Sequence, residues 1–129
     1  MVAVDTNVLV RLLTQDDAAQ HKASRNLFAT QEVFIADSVI LETEWVLRAA
    51  YELPPVAVCD ALRRVFGLSN VSLSNAQRIA QVIAWHEEGL DFADAFHLAS
   101  CQDHDALKTF DAVFVKRAKS KGTCRVEKP

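Results

Sequence analysis

Short apolar runs rich in β-branched residues alternate with longer amphipathic segments along the chain, and this alternation limits the possible folds more than any other feature. The runs lie at 2–4, 33–36, 71–73, 107–110 and 123–126. The segments between them are too long for hairpins, so the strands are expected to pair in parallel and to be covered by helices. We therefore predict an α/β fold, a three-layer α/β/α sandwich with a central, mostly parallel sheet of about five strands.

Polar residues and glycines mark where the helices between these strands begin and end. Asp17, Ser74 and Asp91 are typical N-cap residues, and Gly67 and Gly89 are typical of the position that follows a helix. Helices are accordingly predicted at about 8–13, 18–30, 39–51, 55–66, 75–88, 92–105 and 112–120.

Length and composition indicate a single domain over residues 1–129. Half of the residues are apolar and 24% are charged, which excludes a disordered chain. No apolar run approaches the roughly 20 residues that span a bilayer, and the first residues do not resemble a signal peptide. The three cysteines form no C-x-x-C pair. These features predict a cytoplasmic protein with free thiols and no membrane contact.

Four acidic residues fall where a parallel sheet binds its ligands, beyond the carboxyl ends of its strands. Asp5 and Asp111 each end a predicted strand. Asp94 lies in the first turn of the helix that precedes the fourth strand, and Glu42 lies about one turn into the helix that follows the second. Apolar residues surround Glu42, so we expect its carboxylate to be buried. The four acids are predicted to converge at one edge of the sheet.

Converging carboxylates need a positive counter-charge. Two unit charges about 4 Å apart repel by about 4 kcal/mol at an effective dielectric of about 20. Oxygen ligands without His or Cys favour Mg²⁺ or Mn²⁺ over Zn²⁺, and such an ion activates water for phosphodiester hydrolysis. Each acid taken alone has a structural explanation, as a helix cap or a surface residue. The coincidence of all of them at one edge favours a metal site.

Four stretches of the chain resemble the PIN domain family in their order and spacing. The stretches are VAVDTNVL at 2–9, LETE at 41–44, DFADAFHLA at 91–99 and KTFD at 108–111. The likeness is greatest to the small VapC-type toxins of that family. It implies an α/β/α sandwich, a metal-dependent endoribonuclease that cuts RNA, a homodimer, and a VapB-like antitoxin that occludes the active site.

Matched position by position, the resemblance also implies roles for individual residues. The catalytic and metal-binding acids are Asp5, Glu42, Asp94 and Asp111. The polar residues that orient these acids or a water molecule are Thr6, Asn7 and Thr109. Asp91 is then an N-cap or an outer residue of the site. The expected cofactor is Mg²⁺, with Mn²⁺ able to replace it.

Two other functions stay open. Asp5 at a strand end also suits an Asp-based phosphatase or a receiver-like domain that accepts a phosphoryl group. Those designs use a second Asp two positions later or a lysine at a late strand end, whereas here residue 7 is Asn and Lys108 precedes Thr109. The third interpretation is a catalytically inactive PIN-like binding module.

Basic residues are concentrated near the C-terminus. Seven Lys and Arg face three Asp and Glu between residues 104 and 129, although the whole chain has a formal net charge of −3. This segment is either a solvated helix face or an edge that guides the RNA backbone. Arg11 and Arg48 are further candidates for guiding RNA.

The remaining residues with chemical potential favour structural roles. His97 and Cys101 are four residues apart, which suits a packed helix face better than half of a zinc site. Trp45 and Trp85 are expected in the core or at a dimer interface. Phe110, inside a predicted strand, is expected in the core.

Overall fold

The computed structural model describes all 129 residues, in five strands and seven helices. The strands are β1 (Val2–Ala3), β2 (Val33–Ile35), β3 (Val71–Leu73), β4 (Ala106–Lys108) and β5 (Arg125–Glu127). The helices are α1 (Thr6–Leu13), α2 (Ala18–Thr30), α3 (Asp37–Ala49), α4 (Pro55–Phe66), α5 (Ala76–Glu87), α6 (Phe92–Ser100) and α7 (Ala112–Arg117). None of the helices combines the length and the hydropathy needed to cross a bilayer. The chain divides into two compact units, Met1–Ala76 and Gln77–Pro129.

The first unit is built on a parallel sheet of three strands in the order β1-β2-β3. Val33 of β2 pairs with Val2 of β1 on one side and with Val71 of β3 on the other. Val33 and Ile35 are fully buried, and such β-branched side chains favour the extended backbone of a packed strand. The central strand therefore forms the apolar middle of this unit.

Capping residues and prolines set the helices of the first unit. The Asp17 carboxylate accepts a hydrogen bond from the Gln20 amide at 3.0 Å and begins α2. Pro55 occupies the first position of α4, where its missing N–H costs no hydrogen bond. The helices bury apolar side chains with no exposed surface, namely Leu9, Ile40, Leu47 and Leu62.

The second unit contains a two-stranded parallel sheet and three helices. Leu107 of β4 pairs with Val126 of β5. Gly89 follows α5 with a φ of 107°, a backbone conformation that favours glycine, so its predicted role in ending that helix is confirmed. The helices bury Ile79, Val82, Phe92 and Leu98.

The predicted α/β fold with parallel strands is confirmed. The five strands form one three-stranded and one two-stranded sheet, whereas a single sheet was expected. The strands have only two or three residues each, and each one pairs with a strand of its own unit.

The largest difference between a predicted and an observed helix end is at α6. Helix α6 ends at Ser100, about five residues earlier than expected. The Gln102 side chain takes part in this helix end, because its Nε2 donates to the Leu98 carbonyl at 2.9 Å. The Gln102 Oε1 accepts a hydrogen bond from the Thr123 amide at 2.8 Å. Gly67 ends α4 with a φ of −81°. The predicted end of α4 at Phe66, with Gly67 as the next residue, is confirmed.

Candidate active site

Asp5 lies between β1 and α1 in the first unit and acts as the N-cap of α1. Its Oδ1 accepts a hydrogen bond from the Val8 amide at 3.1 Å. This bond satisfies one of the amides that a helix start leaves free, and it fixes the exposed carboxylate relative to the sheet. The other oxygen, Oδ2, has no hydrogen-bond donor within the protein.

Thr6 connects the start of α1 to Glu42 on α3. Its hydroxyl Oγ1 donates a hydrogen bond to Glu42 Oε1, and the two helices are in contact. This hydrogen bond holds the Glu42 carboxylate at the start of α1, and the orienting role of Thr6 stays a prediction.

Glu42 is exposed, so the prediction that it is buried is wrong. The buried acid on α3 is Glu44, which is 2% exposed and pairs with Arg48 at 2.8 Å. Residues two apart on a helix point in nearly opposite directions, so only one of the two glutamates can face the core. The Glu44–Arg48 pair was not predicted from the sequence, although its i, i+4 spacing is a signal for such an ion pair.

A small open cavity of about 260 Å³ adjoins Asp5 in the first unit, between α1 and α2. Asn7, which is exposed, and Arg11, which is partly buried, are among its lining residues. Arg11 donates to Asp16 and to Gln20, each at 2.8 Å. The Arg11 guanidinium therefore already has partners within the protein, which makes it a weaker candidate for binding a phosphate.

Asp91 and Asp94 lie at the start of α6 in the second unit. Asp91 is the N-cap, and its Oδ2 accepts a hydrogen bond from the Asp94 amide at 3.2 Å. Burial raises the pKa of the Asp94 carboxyl above its ordinary value, and the negative charges of Asp91 and Asp111 raise that pKa further. His97 acts in the opposite direction and lowers it. Asp94 therefore sits in a region of the second unit where negative charge is concentrated.

Asp111 begins α7 as its N-cap. Its Oδ1 accepts hydrogen bonds from the amides of Val113 at 2.9 Å and Phe114 at 3.1 Å. The Asp111 amide in turn donates to Thr109 Oγ1 at 3.1 Å. Thr109 thus fixes the backbone that carries Asp111, and its supporting role in the site stays a prediction.

Phe110 is 83% exposed, so its predicted place in the core is wrong. Strand β4 ends at Lys108, and the turn from Thr109 to Asp111 places the intervening aromatic ring in solvent. Trp45 is also exposed, at 58%, whereas Trp85 is buried.

The donor set of the predicted acids fits a hard divalent cation, because every donor is a carboxylate oxygen and the negative charge around Asp94 raises its pKa. Asp5 and Glu42 belong to the first unit, and Asp91, Asp94 and Asp111 to the second. Nowhere in the chain do three or more His, Cys, Asp or Glu side chains form a group that could hold a metal ion as it stands. The convergence of the four acids stays a prediction.

Several basic residues of the C-terminal segment already have partners within the second unit. Lys108 pairs with Glu127 at 2.6 Å and Lys121 with Glu88 at 3.7 Å. Arg117 donates to the Gly89 carbonyl at 3.0 Å. The charge available to an external polyanion is therefore smaller than the sequence count suggests.

Comparisons with known proteins place the chain in a family. No curated protein matches it closely. Among solved structures, it is similar to VapC20 of Mycobacterium tuberculosis, a toxin that cleaves the sarcin–ricin loop, with 22% identity over 88% of this chain and 92% of that one and a TM-score of 0.45. A family model for the PIN domain matches residues 2–120. The chain therefore belongs to the PIN domain family, whose members are nucleases that generally use divalent metal ions.

Proposed function

We propose that this PIN-family protein is an endoribonuclease that uses Mg²⁺ or Mn²⁺ to hydrolyse RNA phosphodiester bonds. The finding that supports this most directly is the match of the PIN family model to residues 2–120, and it agrees with the raised pKa of Asp94, which is caused first by burial and then by the charges of Asp91 and Asp111. Negative charge concentrated in this way gains stability from a bound cation. The single-domain prediction is retained, because the family match extends across both units.

The four acids have distinct roles in this proposal. Asp5, Asp94 and Asp111 bind the metal, and Glu42 completes the set of ligands or orients the attacking water. A divalent ion held by these acids would supply the positive charge that polarises a phosphate and makes a water molecule more acidic. The chain's own contribution is positional: amide hydrogen bonds hold one oxygen of Asp5 and one of Asp111, and the Thr6 hydroxyl holds Glu42.

The remaining residues support these acids. Thr109 accepts from the Asp111 amide, and Asp91 accepts from the Asp94 amide. Asn7, exposed beside Asp5, is available to hydrogen-bond a phosphate oxygen or a water molecule. All three act on the position of the acids or of the substrate, so their loss is expected to slow cleavage less than the loss of Asp94.

The biological setting proposed here is a VapBC-type toxin–antitoxin pair. The protein would be the toxin, would act as a homodimer, and would be inhibited by a VapB-like antitoxin. The support is the resemblance of the four motifs to VapC-type toxins. A cytoplasmic location is proposed because all three cysteines are free and two of them are buried, as expected in a reducing compartment.

Cleavage of RNA by the purified protein tests the proposal. Labelled single-stranded RNA should be cut in Mg²⁺ or Mn²⁺ and should remain intact when EDTA removes the metal. Asp94→Asn should abolish cleavage, while Asp60→Asn, at an exposed acid on α4, should leave it unchanged. Calorimetric titration with Mn²⁺ should give binding that Asp94→Asn weakens.

Two results would contradict the proposal in different ways. Metal-independent cleavage that survives Asp94→Asn would show that these acids are not the active site. Absence of both cleavage and Mn²⁺ binding would instead favour the inactive binding module.

A further inference from the structure

Phe110 is a large aromatic residue held in solvent beside a proposed catalytic acid. It is 83% exposed. On one side, the Thr109 amide donates to the Glu127 carbonyl at 3.1 Å. On the other, the Asp111 amide donates to Thr109 Oγ1, and Asp111 itself caps α7. The backbone on both sides of the ring is therefore fixed, and the exposure of Phe110 is a consequence of a well-defined turn.

The surface next to Phe110 combines apolar and basic side chains. Val113, on the first turn of α7, is 57% exposed. Lys116 lies three residues further along the same helix and therefore on the same face; it is exposed and makes no ion pair. A single exposed apolar residue is ordinary on a protein surface. Here an exposed aromatic ring directly precedes a proposed catalytic acid, and an exposed cation lies on the short helix that this acid begins.

This combination matches the chemistry of single-stranded RNA. Proteins that bind single strands use aromatic rings to stack on unpaired bases and cationic side chains to contact the phosphates. Stacking tolerates any base, because every base has a π-face. A purely apolar protein partner would leave the charge of Lys116 without a counter-charge.

We infer that Phe110 stacks on a base of the RNA adjacent to the phosphate that is cleaved, while Lys116 contacts the backbone. The inference extends the proposed function, because it names a substrate contact of the same site. Phe110 is a binding and positioning residue here and takes no part in the chemical step.

A binding experiment with altered RNA tests the stacking directly. Affinity for a short fluorescein-labelled single-stranded RNA is measured by anisotropy in Ca²⁺, with a set of oligonucleotides that each carry one abasic site at a different position. Loss of one stacked base weakens binding by about 5- to 150-fold. For the wild type, one abasic position should have an effect in this range.

Variants of Phe110 separate stacking from general hydrophobicity. Phe110→Ala should bind intact RNA about 5- to 150-fold more weakly and should be insensitive to the abasic position that weakens the wild type. Phe110→Tyr should restore both affinity and abasic sensitivity, whereas Phe110→Leu should restore neither. Val56→Ala, at a residue 70% exposed on α4, is the matched control and should bind like the wild type.

The outcomes distinguish this inference from the function on which it rests. If the wild type cleaves RNA and Phe110→Ala binds and cleaves equally well, the inference is wrong and the nuclease proposal stands. A change in self-association of Phe110→Ala with unchanged RNA affinity likewise overturns it and assigns the ring to a protein interface. Binding that depends on Phe110 without any cleavage in Mn²⁺ retains the base contact and removes the nuclease proposal. If the wild type binds no RNA, both are wrong.

Discussion

Replacing Thr6 with Val tests whether its hydroxyl holds Glu42 in place. Valine keeps the branched shape and removes only the donor, so the change isolates the hydrogen bond from Oγ1 to Glu42 Oε1. A hydrogen bond to a charged group contributes about 1.5–3 kcal/mol when it is well shielded. Glu42 is exposed, so water competes for its carboxylate. We therefore expect a coupling of about 1 kcal/mol between the two side chains, below the shielded range.

A double-mutant cycle measures this coupling. The free energies of unfolding in urea are determined for wild type, Thr6→Val, Glu42→Ala and the double variant. The m-value, the slope of this free energy against urea concentration, is expected to stay constant. Thr6→Ser retains the donor and is the control. If the hydrogen bond orients Glu42 for catalysis, Thr6→Val should also lower kcat by about tenfold, the equivalent of about 1.4 kcal/mol. A coupling energy of zero within error, with Thr6→Ser behaving like Thr6→Val, would refute the reasoning.

Three further predictions concern stability and the site. Asp5→Ala should abolish cleavage and also destabilise the protein by about 0.5–2 kcal/mol, because it removes the α1 cap. Asp5→Asn should abolish cleavage with little loss of stability. Equal urea midpoints for the two variants would argue against the cap. Arg48→Ala should lower the free energy of unfolding by about 1–3 kcal/mol, since it leaves the buried Glu44 carboxylate without its ion pair. The Arg48 side chain is half-exposed, so water compensates for part of the loss. An unchanged urea midpoint would contradict this. The Tyr51 hydroxyl donates a hydrogen bond to Asp16 and holds the pKa of that carboxyl below its ordinary value. The bond therefore stabilises the folded protein above about pH 4, and this stabilisation is lost as the pH falls through the folded-state pKa of Asp16. The difference in Tm between wild type and Asp16→Asn should therefore shrink in acid, and a constant difference would be the contrary result.

Much of the fold could be predicted because local chemistry determines it. Asp17 caps a helix that runs to Thr30 as predicted, and Asp91 has both its predicted position and its predicted hydrogen bond. In each case a short polar side chain precedes a helical segment and can satisfy its free amides, which depends only on neighbouring residues.

The errors concern properties that depend on distant contacts. Glu42 and Glu44 both lie among apolar residues of α3, and the sequence does not reveal which of them is buried. Phe110 is exposed because β4 ends at Lys108, two residues earlier than predicted. Where a strand ends is decided by its pairing with β5, whose residues lie about twenty positions later in the chain.

Three of the acids in the proposed site, Asp5, Asp91 and Asp111, are also N-caps of helices. In each of them, one carboxylate oxygen accepts a hydrogen bond from a backbone amide of the helix start. The same geometry leaves the second oxygen of Asp5 and of Asp111 without a protein donor and therefore open to a cation. Under the proposed function, one Asp between a strand and a helix would serve both as the helix cap and as a metal ligand. Because alanine removes both properties at once, asparagine is the substitution that tests the ligand role alone.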